Sequence, residues 1–308
     1  MGVLKELPAQ MSDVLSIAPT VPTVNAPIVI AATLNAPTVI VPTVIGIDVG
    51  GSRKGFHAVA LSAGAYADHL ETPDVGELAQ WCRSVIGAQL IAIDAPSRWS
   101  SDGRARPCER ELNAAGIRCF ASPSREAALG HPSNYFGWML QGEALYRELA
   151  ASHPPLAALP PTGLAPAGLP PTALPPTGLA ASAPACFETF PHAITWQLRG
   201  GQASAAHKRH QRSELLRQAG IDPAPFTSID LIDAALCALA AHHLASGRPC
   251  RAYGEAASGL IVVPQGPLAG EPPQGGGMPH GIQQLPKGVA GRHELAGPGP
   301  GTPQGAVT

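Results

Sequence analysis

Short apolar runs rich in β-branched residues recur along this chain, and two of them stop at an aspartate followed by small residues. Thr43-Val-Ile-Gly-Ile-Asp-Val49 runs into Gly50-Gly51, the pattern of a buried strand followed by a tight turn. Gln89 to Asp94 (QLIAID) repeats that grammar ahead of Ala95-Pro96-Ser97. Between the two, Phe56–Leu61 and Ala65–Leu70 are joined by Ser-Ala-Gly, which predicts an antiparallel meander. Leu78, Trp81, Cys82 and Val85 fall at helical spacing behind Asp74, a residue suited to cap a helix over about 75–86. Further helices are predicted at Arg106–Ala115, Phe136–Ala151, His207–Ala219 and Ile229–Ser246, with strands at Ala185–Phe190 and Leu260–Val263. The predicted order is three strands, a helix, a strand, a helical excursion, a strand, two helices and a last strand.

Three stretches break this pattern. Residues 17–44 repeat APTVPTV, NAPIVI and NAPTVIVPTV, where regular prolines enforce an extended chain. Residues 154–184 repeat Leu-Pro-Pro-Thr from Leu159, Leu169 and Leu174, as in an expanded loop insertion, and such an insertion is tolerated because closure entropy grows slowly with length. From Gln265 to Thr308 the chain is rich in Gly, Pro and Gln without periodicity and reads as a disordered tail. The 34 Gly and 34 Pro, more than a fifth of 308 residues, therefore lower the expected domain count to one. The expected organisation is a low-complexity leader at 1–42, one α/β domain at 43–264 interrupted by 154–184, and the tail at 265–308.

A formal charge of -2 removes the overall basic field that drives nonspecific nucleic-acid binding, so such a partner must be held by a local patch. The six cysteines form no CxxC pair and have no histidine at zinc-ligand spacing, which reads as reduced thiols in a cytoplasmic protein without structural zinc. Val21–Val49 is apolar, but Pro22, Pro27, Pro37, Pro42 and Asp48 exclude a membrane helix or a signal segment, and no membrane partner is expected.

The acids carry the candidate chemistry. A lone Asp at a strand end commonly only accepts backbone hydrogen bonds from the following turn. Two such strands lying parallel and adjacent would aim Asp48 and Asp94 at one point beyond their carboxyl ends, where open α/β sheets bind ligands. Paired carboxylates there share a proton or hold a divalent cation. Glu188, between Phe187 and Phe190, either faces solvent on an edge strand or has a partner. Asp230 and Asp233 share a helix face in a first turn, where Asp230 also suits a simple capping role. Asp233 precedes an almost wholly apolar stretch and so belongs to a helix buried on most sides.

The strings GIDVGG, IAIDAPS, RARPCERELNAAGIRCFASPS, CFETFP, HKRHQRSELLRQAGI and DLIDAALCALAAHHLASG, in that order, resemble the domain of unknown function 429 family, predicted nucleases with an RNase H-like fold. The resemblance covers nearly all of 43–264 outside the Pro-rich insertion. It implies a mixed β-sheet of three antiparallel strands followed by parallel strands, flanked by helices. It also implies a two-metal hydrolase of nucleic acid, DNA or RNA, using Mg2+ or Mn2+. Carried over, the metal ligands are Asp48, Asp94 and Asp233, with Asp230 and Glu188 as further members of the metal and catalytic set. In that scheme Asp48 bridges both cations, Asp94 and Asp233 each complete one sphere, and Glu188 or Asp230 acts through water.

Two basic groups flank these acids: Arg199, Lys208, Arg209, Arg212 and Arg217, and the arginines between Arg98 and Arg125. Either could be an ordinary solvated helix face; nearness to the acids puts Arg106, Lys208 and Arg212 first among substrate contacts. Adjacent His242 and His243 point to different helix faces and make no metal pair, while His57 and His192 are plausible pocket residues without distinguishing spacing. A rival reading starts from GIDVGGS, which is close to the first phosphate-binding motif of sugar kinases. Those enzymes enclose a nucleotide between two such domains, with a second Asp-Gly-Thr-like turn and a late adenosine-binding motif, and the core here is too short for two. A third is a non-catalytic binding module on the same fold.

Overall fold

In this computed structural model the chain is described at residues 42–159, 183–266 and 268. The leader, most of the Pro-rich insertion and nearly all of the tail expected from sequence lie outside the described residues. The β-branched run Thr43–Val49 forms strand β1 and turns back through Phe56–Ser62 (β2) and Ala65–Thr72 (β3), all antiparallel. Helix α1 (Val75–Gln80) starts where the Asp74 carboxylate accepts from the Glu77 backbone N–H at 2.8 Å. Its continuation, Trp81–Val85, is a π-turn rather than the single α-helix expected to residue 86. Strand β4 (Leu90–Asp94) then enters the sheet parallel to β1.

The excursion that follows holds α2 (Pro107–Ala114), α3 (Arg125–Leu129) and α4 (Gly137–Leu149). After it come β5 (Ala185–Glu188), α5 (Pro191–Leu198), α6 (Lys208–Gln218), α7 (Ile229–Ala245), β6 (Cys250–Glu255) and β7 (Gly259–Pro264). Among the described residues the sheet has seven strands in the order β3-β2-β1-β4-β5-β7-β6, with β1, β4, β5 and β7 parallel and β6 an antiparallel edge. The mixed α/β architecture read from sequence is therefore present: an antiparallel trio, then parallel strands, with helices on both faces.

Strand alternation divides the core. Val44, Leu90, Ala92 and Phe187 face α7 and its neighbours α5 and α6. Ile45, Ile47, Ile91 and Ile93 face the side closed by α1 and α4, where Leu78, Leu145 and Leu149 pack. The first described residues of the Pro-rich stretch, Pro154 and Leu156, hydrogen-bond Cys186 and so extend the sheet beside the start of β5. Three elements lack a sequence forecast. Strand β6 contains Arg251, Gly254 and Glu255 and is an edge, so it needs no continuous apolar run. The others are α3, five residues long, and α5, which opens on Pro191 at its first turn, a position that suits proline. Among the described residues no helix is long and apolar enough to cross a membrane.

Candidate metal centre

β1 and β4 lie in register with Asp48 directly beside Asp94 at their carboxyl ends. Both side chains belong to the face that α7 covers, since they continue the Val44-Gly46 and Leu90-Ala92 alternation. Helix α7 comes close because Gly46 lacks a side chain: a Cβ there would run into the backbone of Ala234, Cys237 and Ala238. The helix starts at Ser228, whose hydroxyl accepts from the Leu231 N–H at 3.0 Å. This start puts Asp230 and Asp233 at the mouth of the sheet.

The β1–β2 turn contributes two more groups. Gly50 N–H donates to the Gly55 carbonyl at 2.9 Å, and Gly55 takes φ 71°, a left-handed conformation that glycine adopts without strain. The resulting register sets His57 directly opposite Asp48. Lys54, within the turn, pairs with Asp230 Oδ2 at 2.7 Å.

Asp48, His57 and Asp230 each offer one ligand atom, and these atoms lie within 4.8 Å of one another. His57 is buried; its Nε2 is 3.2 Å from Glu71 Oε2, and its Nδ1 is buried with no hydrogen-bond partner among the described residues. An imidazole with an orphaned nitrogen, standing at ligand spacing from two carboxylates, fits a divalent cation. The charges agree. Burial, reinforced by the charges of Asp233 and Asp230, pushes the Asp48 carboxyl up to about 7 despite Lys54 and Arg212. Burial, with Asp48 and Asp233 nearby, holds Asp94 well above the usual carboxylate range. Burial also raises Asp233, although the Arg212 guanidinium opposes it. Crowded acids with raised pKa values mark a place short of positive charge.

The other residues expected at the site stand as follows. Asp94 and Asp233 interact electrostatically with Asp48, but they fall outside the trio that meets at ligand spacing. Asp233 accepts a hydrogen bond from Arg212, so this arginine, expected at a substrate, is buried against an acid. Glu188 sits beside Ile93 and thus on the opposite face of the sheet from Asp48 and Asp94. There Arg106 grips it through both terminal nitrogens, at 3.0 and 2.6 Å, while the Ser97 backbone N–H and hydroxyl donate at 2.8 and 2.9 Å. The Arg106 Nε donates to Glu109 at 2.7 Å, and the residue is only 4% exposed. Arg106, expected at the substrate, is instead turned inward to neutralise two buried carboxylates. Lys208 is exposed, near enough to Asp233 to counter its negative charge.

The family model described as "Protein of unknown function (DUF429)" matches residues 46–258. The chain belongs to this family. The family match begins inside β1 and ends just before β7, so it contains all five acids and His57. Searches of curated proteins and of solved structures found no match.

Sequence reasoning marks His57 only as a pocket residue without distinguishing spacing and does not single out Lys54. A signal existed for His57: once Gly50–Gly55 is taken as the hairpin turn, counting outward pairs Asp48 with His57. None existed for Lys54, whose role depends on where α7 begins.

Proposed function

We propose that this protein is a metal-dependent nuclease that hydrolyses phosphodiester bonds. The observation that carries the reading is the meeting of Asp48, His57 and Asp230 at the carboxyl ends of the strands, with Asp94 and Asp233 beside them. The strand order β3-β2-β1-β4-β5, antiparallel and then parallel, supports the RNase H-like assignment that the family resemblance implies. When bound, a divalent cation neutralises phosphodiester oxygens and acidifies water.

The protein's own groups divide the remaining work. Asp48, His57 and Asp230 would hold a first cation, and Asp94 and Asp233 would be the carboxylates available for a second. Lys54 keeps Asp230 paired in the metal-free protein, and Arg212 does the same for Asp233. Metal loading would release exposed Lys54 from Asp230, leaving it free to meet a phosphate. Exposed Lys208 is a phosphate contact already in place. Burial holds the Asp94 carboxyl well above the usual carboxylate range, and positive charge in the site would bring it back down. Mg2+ and Mn2+ both suit carboxylate oxygens, and the imidazole donor shifts the preference towards Mn2+.

The test is cleavage of labelled DNA and RNA by the full chain with and without Mn2+, alongside calorimetric titration with Mn2+, Mg2+ and ATP. Metal-dependent cleavage that disappears in Asp48→Asn is expected. ATP affinity without cleavage would replace this reading with a phosphotransferase; neither metal nor ATP binding would leave a non-catalytic module.

A further inference from the structure

In a chain with only 5% Phe, Trp and Tyr, Phe120, Tyr135 and Phe136 gather with the His131 ring. Tyr135 and Phe136 meet edge to face at 5.0 Å, His131 and Phe136 at 5.2 Å, and Phe120 stands 6.1 Å from both Tyr135 and Phe136. Phe120 is 52% exposed and Tyr135 57%. Soluble proteins expose large neighbouring apolar rings where something covers them. The loop that presents them is held in shape. Asn134 takes φ 51°, its N–H donates to His131 at 3.2 Å, and its carbonyl accepts from Gly137 at 2.9 Å. Left-handed backbone at a non-glycine residue is tolerated best by Asn and marks a built turn.

This surface is continuous with the acid site. Phe120 also walls a cavity of about 70 Å³, which Trp138 and Phe190 line as well and which reaches Asp94. Inside it the charges of Arg106 and Glu188 are already matched to each other. Arg118, exposed and two residues before Phe120, forms no ion pair among the described residues.

We propose that the Phe120, Tyr135 and Phe136 cluster is a stacking platform for the unpaired bases of a single-stranded nucleic acid, whose backbone then passes Asp94. This rests on the nuclease reading and names its substrate class. Aromatic faces accept any unpaired base, whereas duplex bases keep their faces against one another. Arg118, unpaired among the described residues and two residues from Phe120, supplies a phosphate contact that a strand needs and that an apolar protein partner does not.

The test uses the full chain in EDTA, so that binding is read without cleavage. Anisotropy of a labelled oligothymidylate and oligouridylate is compared with that of a duplex of similar length. At least one single strand should bind about tenfold or more tightly than the duplex. The pair Phe120→Ala and Tyr135→Ala should lose about tenfold or more, and Phe120→Tyr with Tyr135→Phe should restore binding. A thermal melt controls for folding, which these half-exposed rings do not support. Equal affinity for duplex, or unchanged binding in the alanine pair, overturns the proposal. So does a dimer that the alanine pair converts to monomer by light scattering, which assigns the rings to self-association. Hydrolysis of bis(p-nitrophenyl) phosphate with Mn2+ by the unmodified chain, a substrate without bases, separates the two readings. Loss there removes the nuclease while leaving the stacking result to stand or fall alone.

Discussion

Replacing Asp48 by Asn should make the metal-free protein more stable at alkaline pH while removing its response to metal. In the folded protein the Asp48 carboxyl titrates at about 7, against 3.8 for the free group, because it is buried and faces Asp233 and Asp230. An acid with a raised folded pKa contributes stability that is complete below 3.8 and is lost as pH rises through about 7. The full interval corresponds to at most about 4 kcal/mol at pH 8, and solvent reaching the partly open site reduces it. Asn has nearly the same shape and no charge. In EDTA, urea denaturation should show Asp48→Asn about 1–3 kcal/mol more stable than the parent at pH 8, with the gap narrowing as pH falls and closing only below about pH 3.8, where the acid is protonated both folded and unfolded. With Mn2+ at pH 8 the order should reverse, since the cation stabilises only a protein that binds it. A variant no more stable than the parent at pH 8 in EDTA would show that Asp48 carries no electrostatic burden, and the charge argument for a cation site would fail with it.

Three further expectations follow from other parts of the molecule. His243 is 3% exposed with neither ring nitrogen hydrogen-bonded among the described residues, and burial pushes its pKa down to about 4. Its neutral form is favoured in the fold, so stability is complete above pH 6.5 and falls as pH drops towards 4; His243→Leu should flatten that slope in urea melts at pH 7 and 4.5, by up to about 3 kcal/mol. Arg106→Met leaves Glu188 and Glu109 buried without their counter-charge and should destabilise by about 3–5 kcal/mol, whereas exposed Lys208→Ala should leave the denaturation midpoint unchanged and weaken nucleic-acid binding; equal midpoints would refute the inward role of Arg106. Gly46→Ala should lower the melting temperature sharply and abolish metal binding together, because α7 must move away from β1, and intact Mn2+ binding in that variant would contradict the packing argument.

The sequence by itself determined the local elements and the identity of the acids. Runs such as Thr43–Val49 and Leu90–Asp94 bury every apolar side chain they carry, so their composition already states that they are strands, and the ends of such strands are where ligands sit in this class of sheet. Tertiary structure decided which acids meet. Side-chain parity puts Glu188 across the sheet from Asp48, a fact that depends on the register of β4 with β5 and not on the string CFETFP. The inward turn of Arg106 and Arg212 follows from carboxylates 82 and 21 residues away, whose burial would be unfavourable without them. His57 joins the site only through hairpin register, and Asp230 only through the close docking of α7 on Gly46. Local sequence encodes backbone preference within a few residues; the sign and geometry of a charge cluster depend on contacts between segments far apart in the chain, and those exist only once the sheet has closed.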